Sequence, residues 1–235
     1  IHYKVRDEGR IVSKAAYIVL GVTTEGYKDI LSITVGANES SKFWLGMLND
    51  LKNRGVQDVL FFCVDGLPGF RDAIQTVFPQ AQIQRCIIHM LRNSFKYVNY
   101  SDLKKFASDF KAVYNASTEE MGKLELETLK GTWGKKYPYA IRSWEDNWED
   151  LSSFYQFSSE LRKIMYTTNI IEGVNRQYRK ATKNKSVFPN DASLAKMLYL
   201  ASQNVMKKWT QRYRGWDQVI GQLILLYGER LTQYL

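Results

Sequence analysis

The stretch Val59-Leu60-Phe61-Phe62-Cys63-Val64-Asp65-Gly66 decides how this chain is read. A continuous apolar run of this length between turn signals reads as a strand covered on both faces, which points to an α/β sheet. The run ends at Asp65, so this carboxylate stands at the carboxyl end of a buried strand, where open α/β sheets usually place their ligand site. Gly66 leaves room for a substrate or ion to approach the backbone. Asp-Gly is also an ordinary turn dipeptide, and the residues alone leave both readings open.

Upstream of this strand, Ile1–Asp7, Ile11–Thr24 and Tyr27–Val35 read as three strands joined by short Gly-containing turns, which favours an antiparallel meander. Asn38 offers an N-cap to a helix in which Phe43, Trp44, Met47, Leu48 and Leu51 recur at helical spacing. Downstream, Pro68 is placed to open a second helix through Phe70, Ala73, Ile74 and Val77 that stops at Pro79, and Ala81–Ile88 reads as a fifth strand. The order through residue 89 is therefore β-β-β-α-β-α-β. Residues 90–160 carry only helical patterns and loops rich in Trp and Tyr, read as a small helical core. Three further helices are expected at 169–182, 191–208 and 216–233. The chain thus divides into a first core segment (1–89), a helical insertion (90–160) and C-terminal core helices (161–235).

Composition narrows the function classes. The 235 residues include 6 Trp, 15 Tyr and 11 Phe with 24% charged side chains, a globular balance that excludes a disordered or fibrous chain. Two cysteines and two histidines cannot build a disulfide framework and limit metal sites. Cys86-Ile87-Ile88-His89 resembles half a zinc site, but no second pair stands at ligand spacing. Leu223–Tyr227, the longest apolar stretch near the end, is far short of the roughly 20 residues of a membrane span, so the chain reads as soluble and intracellular. Its formal charge is +9, and residues 151–235 hold 13 basic against 5 acidic side chains. Nearly all the excess sits in the last third, which points to a polyanionic partner meeting one region. The chain opens without Met in the middle of a strand-like alternation, as a fragment would.

Within that basic third lies Asn169-Ile170-Ile171-Glu172-Gly173-Val174-Asn175-Arg176-Gln177-Tyr178-Arg179-Lys180. Spacings of 3 and 4 put Glu172, Asn175, Arg176, Arg179 and Lys183 on one polar face, with Ile170, Ile171, Val174 and Tyr178 on the buried side. Asn169 with Glu172 is a capping box, and Glu172 with Arg176 is an i,i+4 ion pair worth about 0.3–0.5 kcal/mol. A metal-binding carboxylate flanked by phosphate-binding arginines fits the same residues. The readings are compatible, because a capping Glu can still present one oxygen to an ion.

Three motifs, Asp65-Gly66-Leu67-Pro68-Gly69-Phe70, Cys86-Ile87-Ile88-His89, and Thr167-Thr168-Asn169-Ile170-Ile171-Glu172-Gly173-Val174-Asn175-Arg176 with Arg179, occur in this order with helical sequence between the last two. In this arrangement the chain resembles, over essentially its whole length, the Mutator-type transposases of bacterial insertion sequences. These are a branch of the DDE transposases with a ribonuclease-H-like catalytic fold. Tyr3–Gly9 is similar to the family's first strand and turn. The resemblance implies an α/β fold with a mixed five-stranded sheet flanked by helices, and an all-helical insertion before the final catalytic helix.

It further implies three carboxylates holding two Mg2+ or Mn2+ ions. Asp65 matches the second Asp and Glu172 the Glu, as catalytic and metal-binding residues. The first Asp is expected about two residues before Ile1, which makes this a catalytic domain cut just inside its active site and inactive without that Asp. Asp7 is a poor substitute, roughly 25 Å away along the strand at about 3.3 Å per residue. Cys86 and His89 belong to a C-x-x-H signature, with His89 expected near the scissile phosphate. Asn175, Arg176 and Arg179 are expected to hold phosphates. Lys180, Lys183 and Lys185, with a second group at Lys207, Lys208, Arg212 and Arg214, are of the type that positions DNA without reading its sequence.

The implied reaction is metal-dependent cleavage and strand transfer at transposon ends by in-line attack of a water or a 3′-hydroxyl, with no nucleophilic side chain. Transposon-end and target DNA are the expected partners, with a homodimer or larger assembly on DNA, no membrane, and a bacterial cytoplasmic, nucleoid-associated location. A ribonuclease-H-like nuclease that only hydrolyses, and a non-catalytic DNA-binding or dimerisation fragment, are the alternatives.

Overall fold

The structure, a computed structural model, describes residues 1–36, 39–166 and 169–235. In chain order its first elements are β1 (His2–Asp7), β2 (Arg10–Val22), β3 (Lys28–Gly36), α1 (Ser41–Asn53), β4 (Phe61–Val64), α2 (Phe70–Val77) and β5 (Gln82–Arg85). Helices α3 (Ile87–Phe95), α4 (Tyr100–Asn115), α5 (Glu119–Trp133), α6 (Pro138–Glu145), α7 (Trp148–Ser152) and α8 (Ser159–Tyr166) follow, with a 3-10 turn at Ser153–Gln156. The chain continues through α9 (Asn169–Thr182), α10 (Asp191–Met206), α11 (Trp216–Tyr227) and α12 (Glu229–Thr232). Contacts divide it into two compact units, one of Ile1–Val59, Leu67–Gln80 and Thr168–Leu235, the other of Leu60–Gly66 and Ala81–Thr167.

The first unit is built on the antiparallel meander β1-β2-β3. Glu8 and Gly9 both take positive φ, 46° and 78°, the backbone of a two-residue I′ hairpin whose twist suits the flanking strands, and Asp7 pairs with Arg10 across it. The β2–β3 register slips between Val19 and Leu20, which leaves Leu31 as an extra residue on β3. One face of the sheet meets α9 and α10 in a core of Val5, Ala16, Val174, Tyr178, Phe188, Leu194 and Leu198. Fully burying such a side chain contributes about 1.5–3 kcal/mol. Tyr178 is tied to α10 by a 2.6 Å hydrogen bond with Ser202 Oγ, so its hydroxyl is satisfied in the core.

Aromatic packing covers Tyr17, whose ring centroid lies 5.0 Å from those of both Phe43 and Trp44 on α1, and Trp44 meets Phe70 of α2 in a tilted contact at 4.6 Å. Lys14, nearly buried, bonds Asp191 at 2.7 Å and Asp7 at 2.9 Å, fastening the start of α10 to β2. Asp7 is thereby engaged in a structural ion pair.

The second unit holds the parallel pair β4-β5 and helices α3–α8. The aromatic residues of 90–160 are largely core: Phe106, Phe110, Trp133, Tyr137 and Trp144 are buried and in ring contact. Their polar tips are met, Trp144 Nε1 donating to Ser94 Oγ at 2.9 Å and Trp133 Nε1 to Asp109 at 3.0 Å. Arg162 is buried with its guanidinium spent on the carbonyls of Phe157 and Ala116.

Several expectations change. The five strands fall into a three-stranded and a two-stranded sheet, one in each unit, rather than one described five-stranded sheet. The edge of β1 that β2 does not use is taken by Phe188, whose N–H donates to Lys4 O and whose carbonyl accepts from Arg6 N, each at 2.8 Å. The strand after Val59 is shorter than its apolar run, and Cys63 is exposed, because two paired strands alone cannot bury both faces. The fifth strand ends at Arg85, and Cys86–His89 enters α3. Helix α2 starts at Phe70, since Gly69 takes the left-handed φ of 71° and Pro68 instead offers its carbonyl to Trp44 Nε1. Ser40 caps α1, accepting from Phe43 N, while Asn38 lies outside the described residues. The expected last helix breaks at Gly228, with φ 51° and ψ −130°. Among the described residues no helix is long and apolar enough to cross a membrane.

Candidate active site and nucleic-acid interface

The parallel register of β4 and β5 pairs Val64 with Arg85, and Cys86 N donates to Val64 O at 2.8 Å. Asp65 and Cys86 each follow directly on the last residue of one of these strands, so the register sets them beside one another at the carboxyl ends of the pair. Cys86 is the extended cap of α3, and His89 lies three residues on, one helical turn above it. The helix forms here because Ile87, Met90, Leu91 and Ser94, at i, i+3, i+4 and i+7, are the residues it buries. One ligand atom from each of Asp65, Cys86 and His89 falls within 4.8 Å of the others.

His89 Nδ1 lies 2.6 Å from Asp65 Oδ1. Asp65 first, and Cys86 after it, raise the imidazole to about 10, so His89 is a cation at neutral pH. A Cβ on Gly66 would meet the Arg85 guanidinium at 2.5 Å, so the glycine makes room for that arginine at the carboxyl end of the strand pair. Arg85 is in turn held by Asn147 Oδ1. Neither residue stands out in the sequence, although an Arg at the end of a strand whose partner ends in Asp is a signal that could have been used.

Helix α9 carries the other candidates. Val174 and Tyr178 are buried as expected, Glu172 and Asn175 are half-buried, and Arg176, Arg179 and Lys180 are exposed. The side chain of Asn169, and with it the expected capping box, lies outside the described residues, as do Thr167 and Thr168. Asn175 Oδ1 is buried with no hydrogen-bond partner, on the face of α9 that carries Glu172 at i−3. Lys183, Lys185, Lys207, Lys208 and Arg214 are exposed. Arg212, also exposed, donates to Glu25 O at 2.7 Å and pairs with Asp217 at 3.0 Å. Asp65, Cys86 and His89 therefore belong to the second unit, and Glu172 with the basic residues to the first.

Oxygen donors of the kind hard divalent cations take stand in each unit: the Asp65 carboxylate in the second, and in the first the Glu172 carboxylate with Asn175 Oδ1, a buried carbonyl oxygen without a hydrogen-bond partner. Cys86 and His89 add softer donors beside Asp65.

Known proteins place the chain. Residues 1–212 match the family described as Transposase, Mutator family. The chain is 42% identical over 231 residues to the probable transposase for insertion sequence element ISRM3-like of Sinorhizobium fredii, an alignment that takes in 98% of this chain and 58% of that protein. It is 36% identical to a probable insertion-sequence transposase of Corynebacterium diphtheriae over 255 residues, covering 100% of the chain and 74% of that protein. The transposase for IS256 in transposon Tn4001 of Staphylococcus aureus is 27% identical over 226 residues, 93% of the chain and 57% of its own length. The chain thus spans somewhat over half the length of most of these relatives. The chain belongs to the Mutator family of transposases.

Proposed function

We propose that this chain is the catalytic portion of an insertion-sequence transposase that cleaves DNA at transposon ends and joins the freed end to a target, with Asp65 and Glu172 as its metal-binding carboxylates. The reading is carried by one observation above the rest. In a chain of this family, Asp65 stands at the carboxyl end of a parallel strand pair with Cys86 and His89 gathered round it. The two sheets and their helices are read as parts of a ribonuclease-H-like catalytic fold.

Asp65, Glu172 and Asn175 Oδ1 are the groups that would hold divalent Mg2+ or Mn2+. When bound, such ions supply the Lewis acidity that activates an attacking hydroxyl and steadies the leaving oxygen. The remaining work falls to the chain. His89, with Nδ1 2.6 Å from Asp65, places a positive charge where a scissile phosphate approaches that carboxylate. Arg176 and Arg179, on the polar face of α9, bind phosphates and align the strand. The buried Tyr178–Ser202 hydrogen bond fixes the rotation of α9 and hence the direction of Glu172. DNA ends and target DNA are the substrates, and a dimer or larger assembly on paired ends is the acting form.

The test uses a transposase of the relatives' full length that contains this chain, with transposon-end DNA and Mg2+ or Mn2+. Joined strand-transfer products that depend on a 3′-hydroxyl donor, and that disappear in Asp65→Asn and Glu172→Gln, are the expected result. Hydrolysed ends with no joined product would mark a nuclease instead. Cleavage that survives Asp65→Asn would overturn the site.

A further inference from the structure

A second basic feature lies round the corner of α9 from Glu172. Successive residues of a helix are turned by roughly 100°, so Gly173 and Lys180, seven residues apart, share a stripe distinct from that of Glu172 and Arg176. That stripe forms one wall of a groove of about 600 Å3 between α9, the end of α10 and the start of β3. Lys28, Lys180 and Lys208 line it, together with Trp209. No carboxylate among the described residues lies within ion-pair distance of these three lysines. Lys28 Nζ is positioned 5.0 Å above the Tyr213 ring.

Trp209 is fixed by the fold. Its backbone N–H donates to Met206 O at 2.9 Å in the turn that ends α10, and the residue both packs against the sheet–helix core and lines the groove. Gly173 is unusual in a different way. A glycine inside a helix is disfavoured relative to alanine, yet a Cβ there would meet nothing within 4 Å. Packing does not demand it, and its effect is to keep the groove wall open.

We propose that this groove is a single-stranded DNA subsite, in which Lys28, Lys180 and Lys208 hold phosphates, Trp209 stacks a base, and Gly173 lets the strand lie close to α9. Three unpaired cations call for a polyanion, and an aromatic platform beside them is the arrangement that binds single strands without sequence preference. A groove of this volume takes roughly one or two nucleotides and is too small for a duplex. The inference rests on the reading of the chain as a DNA-processing fragment and adds a place where a strand leaves the duplex.

The experiment is fluorescence anisotropy of this chain with a labelled oligothymidylate and, separately, a labelled duplex, each over a range of salt. Gly173→Leu is the main variant, because the space for it is open and the helix gains propensity. It is expected to weaken single-strand binding about tenfold and to leave duplex affinity unchanged. Lys180→Gln with Lys208→Gln is expected to lower the single-strand salt slope by about 1.4, at about 0.7 per phosphate. Trp209→Leu is expected to cost about tenfold with the slope preserved, with thermal melts confirming its fold. Unchanged single-strand binding in Gly173→Leu and in the lysine pair overturns the subsite alone if duplex binding persists and falls in Arg176→Gln with Arg179→Gln. Equal loss of single-strand and duplex binding in Gly173→Leu also overturns it. A wild-type chain that binds neither form overturns the DNA reading as well.

Discussion

His89 Nδ1 lies 2.6 Å from Asp65 Oδ1, and the pair is brought together by a strand register and a single helical turn. The contact raises the imidazole to about 10, Asp65 being the first cause and Cys86 the second. Since His2 is the only other histidine, the titration can be read directly by NMR. His89 is expected to stay protonated through neutrality, while Asp65→Asn returns it towards about 6.5. A folded value above the unfolded one means that the pair stabilises the fold fully below about pH 6.5 and stops doing so as pH rises through about 10. A divalent ion held by Asp65, as proposed, would compete with the imidazolium, so Mg2+ or Mn2+ should lower the midpoint. A His89 midpoint near its ordinary value in the metal-free chain would contradict the described contact.

Arg230 gives a second pH signature. Its guanidinium makes two bonds to Asp58, at 2.7 and 2.8 Å, and reaches the carbonyls of Gln80 and Val59. These bonds, supported by the Val59 N–H, hold the Asp58 carboxyl below its usual range. A depressed carboxylate contributes stability that is present above about pH 4 and is lost as pH falls through the folded value. Arg230→Gln is expected to cost about 2 kcal/mol at neutral pH, the scale of charge-assisted bonds to a partly buried carboxylate. Denaturant melts should show that difference shrinking in acid, and a difference constant from pH 7 to pH 2 would count against the pairing.

Gly26 supplies a purely structural test. Its φ is 90°, and a Cβ there would collide with the ring of Trp216, whose Nε1 donates to Thr24 O at 2.9 Å. Gly26→Ala combines left-handed strain of about 1–2 kcal/mol with overpacking of about 1–3 kcal/mol. A loss of about 2–5 kcal/mol in urea melts is expected. Gly9→Ala, with a similar φ of 78° but open space around it, should cost only the strain.

How much of this was legible in the sequence depends on which signal each segment carried. The meander and α9 were readable because Gly at a hairpin and apolar residues at 3.6-residue spacing each point to one structure. Cys86-Ile87-Ile88 was misread because a three-residue apolar run fits a strand end and a helix start equally well, and only Met90, Leu91 and Ser94 further on decide it. The buried run before Asp65 misled through its length, since hydrophobicity alone does not reveal that β4 pairs with a single neighbour among the described residues. The orphaned Asn175 oxygen is a fact of side-chain placement, which no spacing rule contains. The same holds for Lys180, grouped by sequence with Arg179 but turned by the helix towards Trp209.

Asn175 joins stability to function most directly. Its Oδ1 is buried without a partner on the face of α9 that bears Glu172, and such a group costs about 1–3 kcal/mol when nothing satisfies it. Asn175→Leu, close in shape and without the orphaned oxygen, is expected to raise the stability of the metal-free chain by about 1 kcal/mol. If the proposed metal reading holds, Mg2+ or Mn2+ would satisfy that oxygen in wild type and should raise the melting temperature in proportion to ion occupancy. In Asn175→Leu that metal-dependent increment should shrink, and strand transfer by the full-length protein should fall with it. Asn175→Asp keeps an oxygen at the position and should retain the metal response. Should Asn175→Leu destabilise the metal-free chain and leave the metal response intact, Asn175 would be a packing residue and the oxygen donors would be the two carboxylates alone.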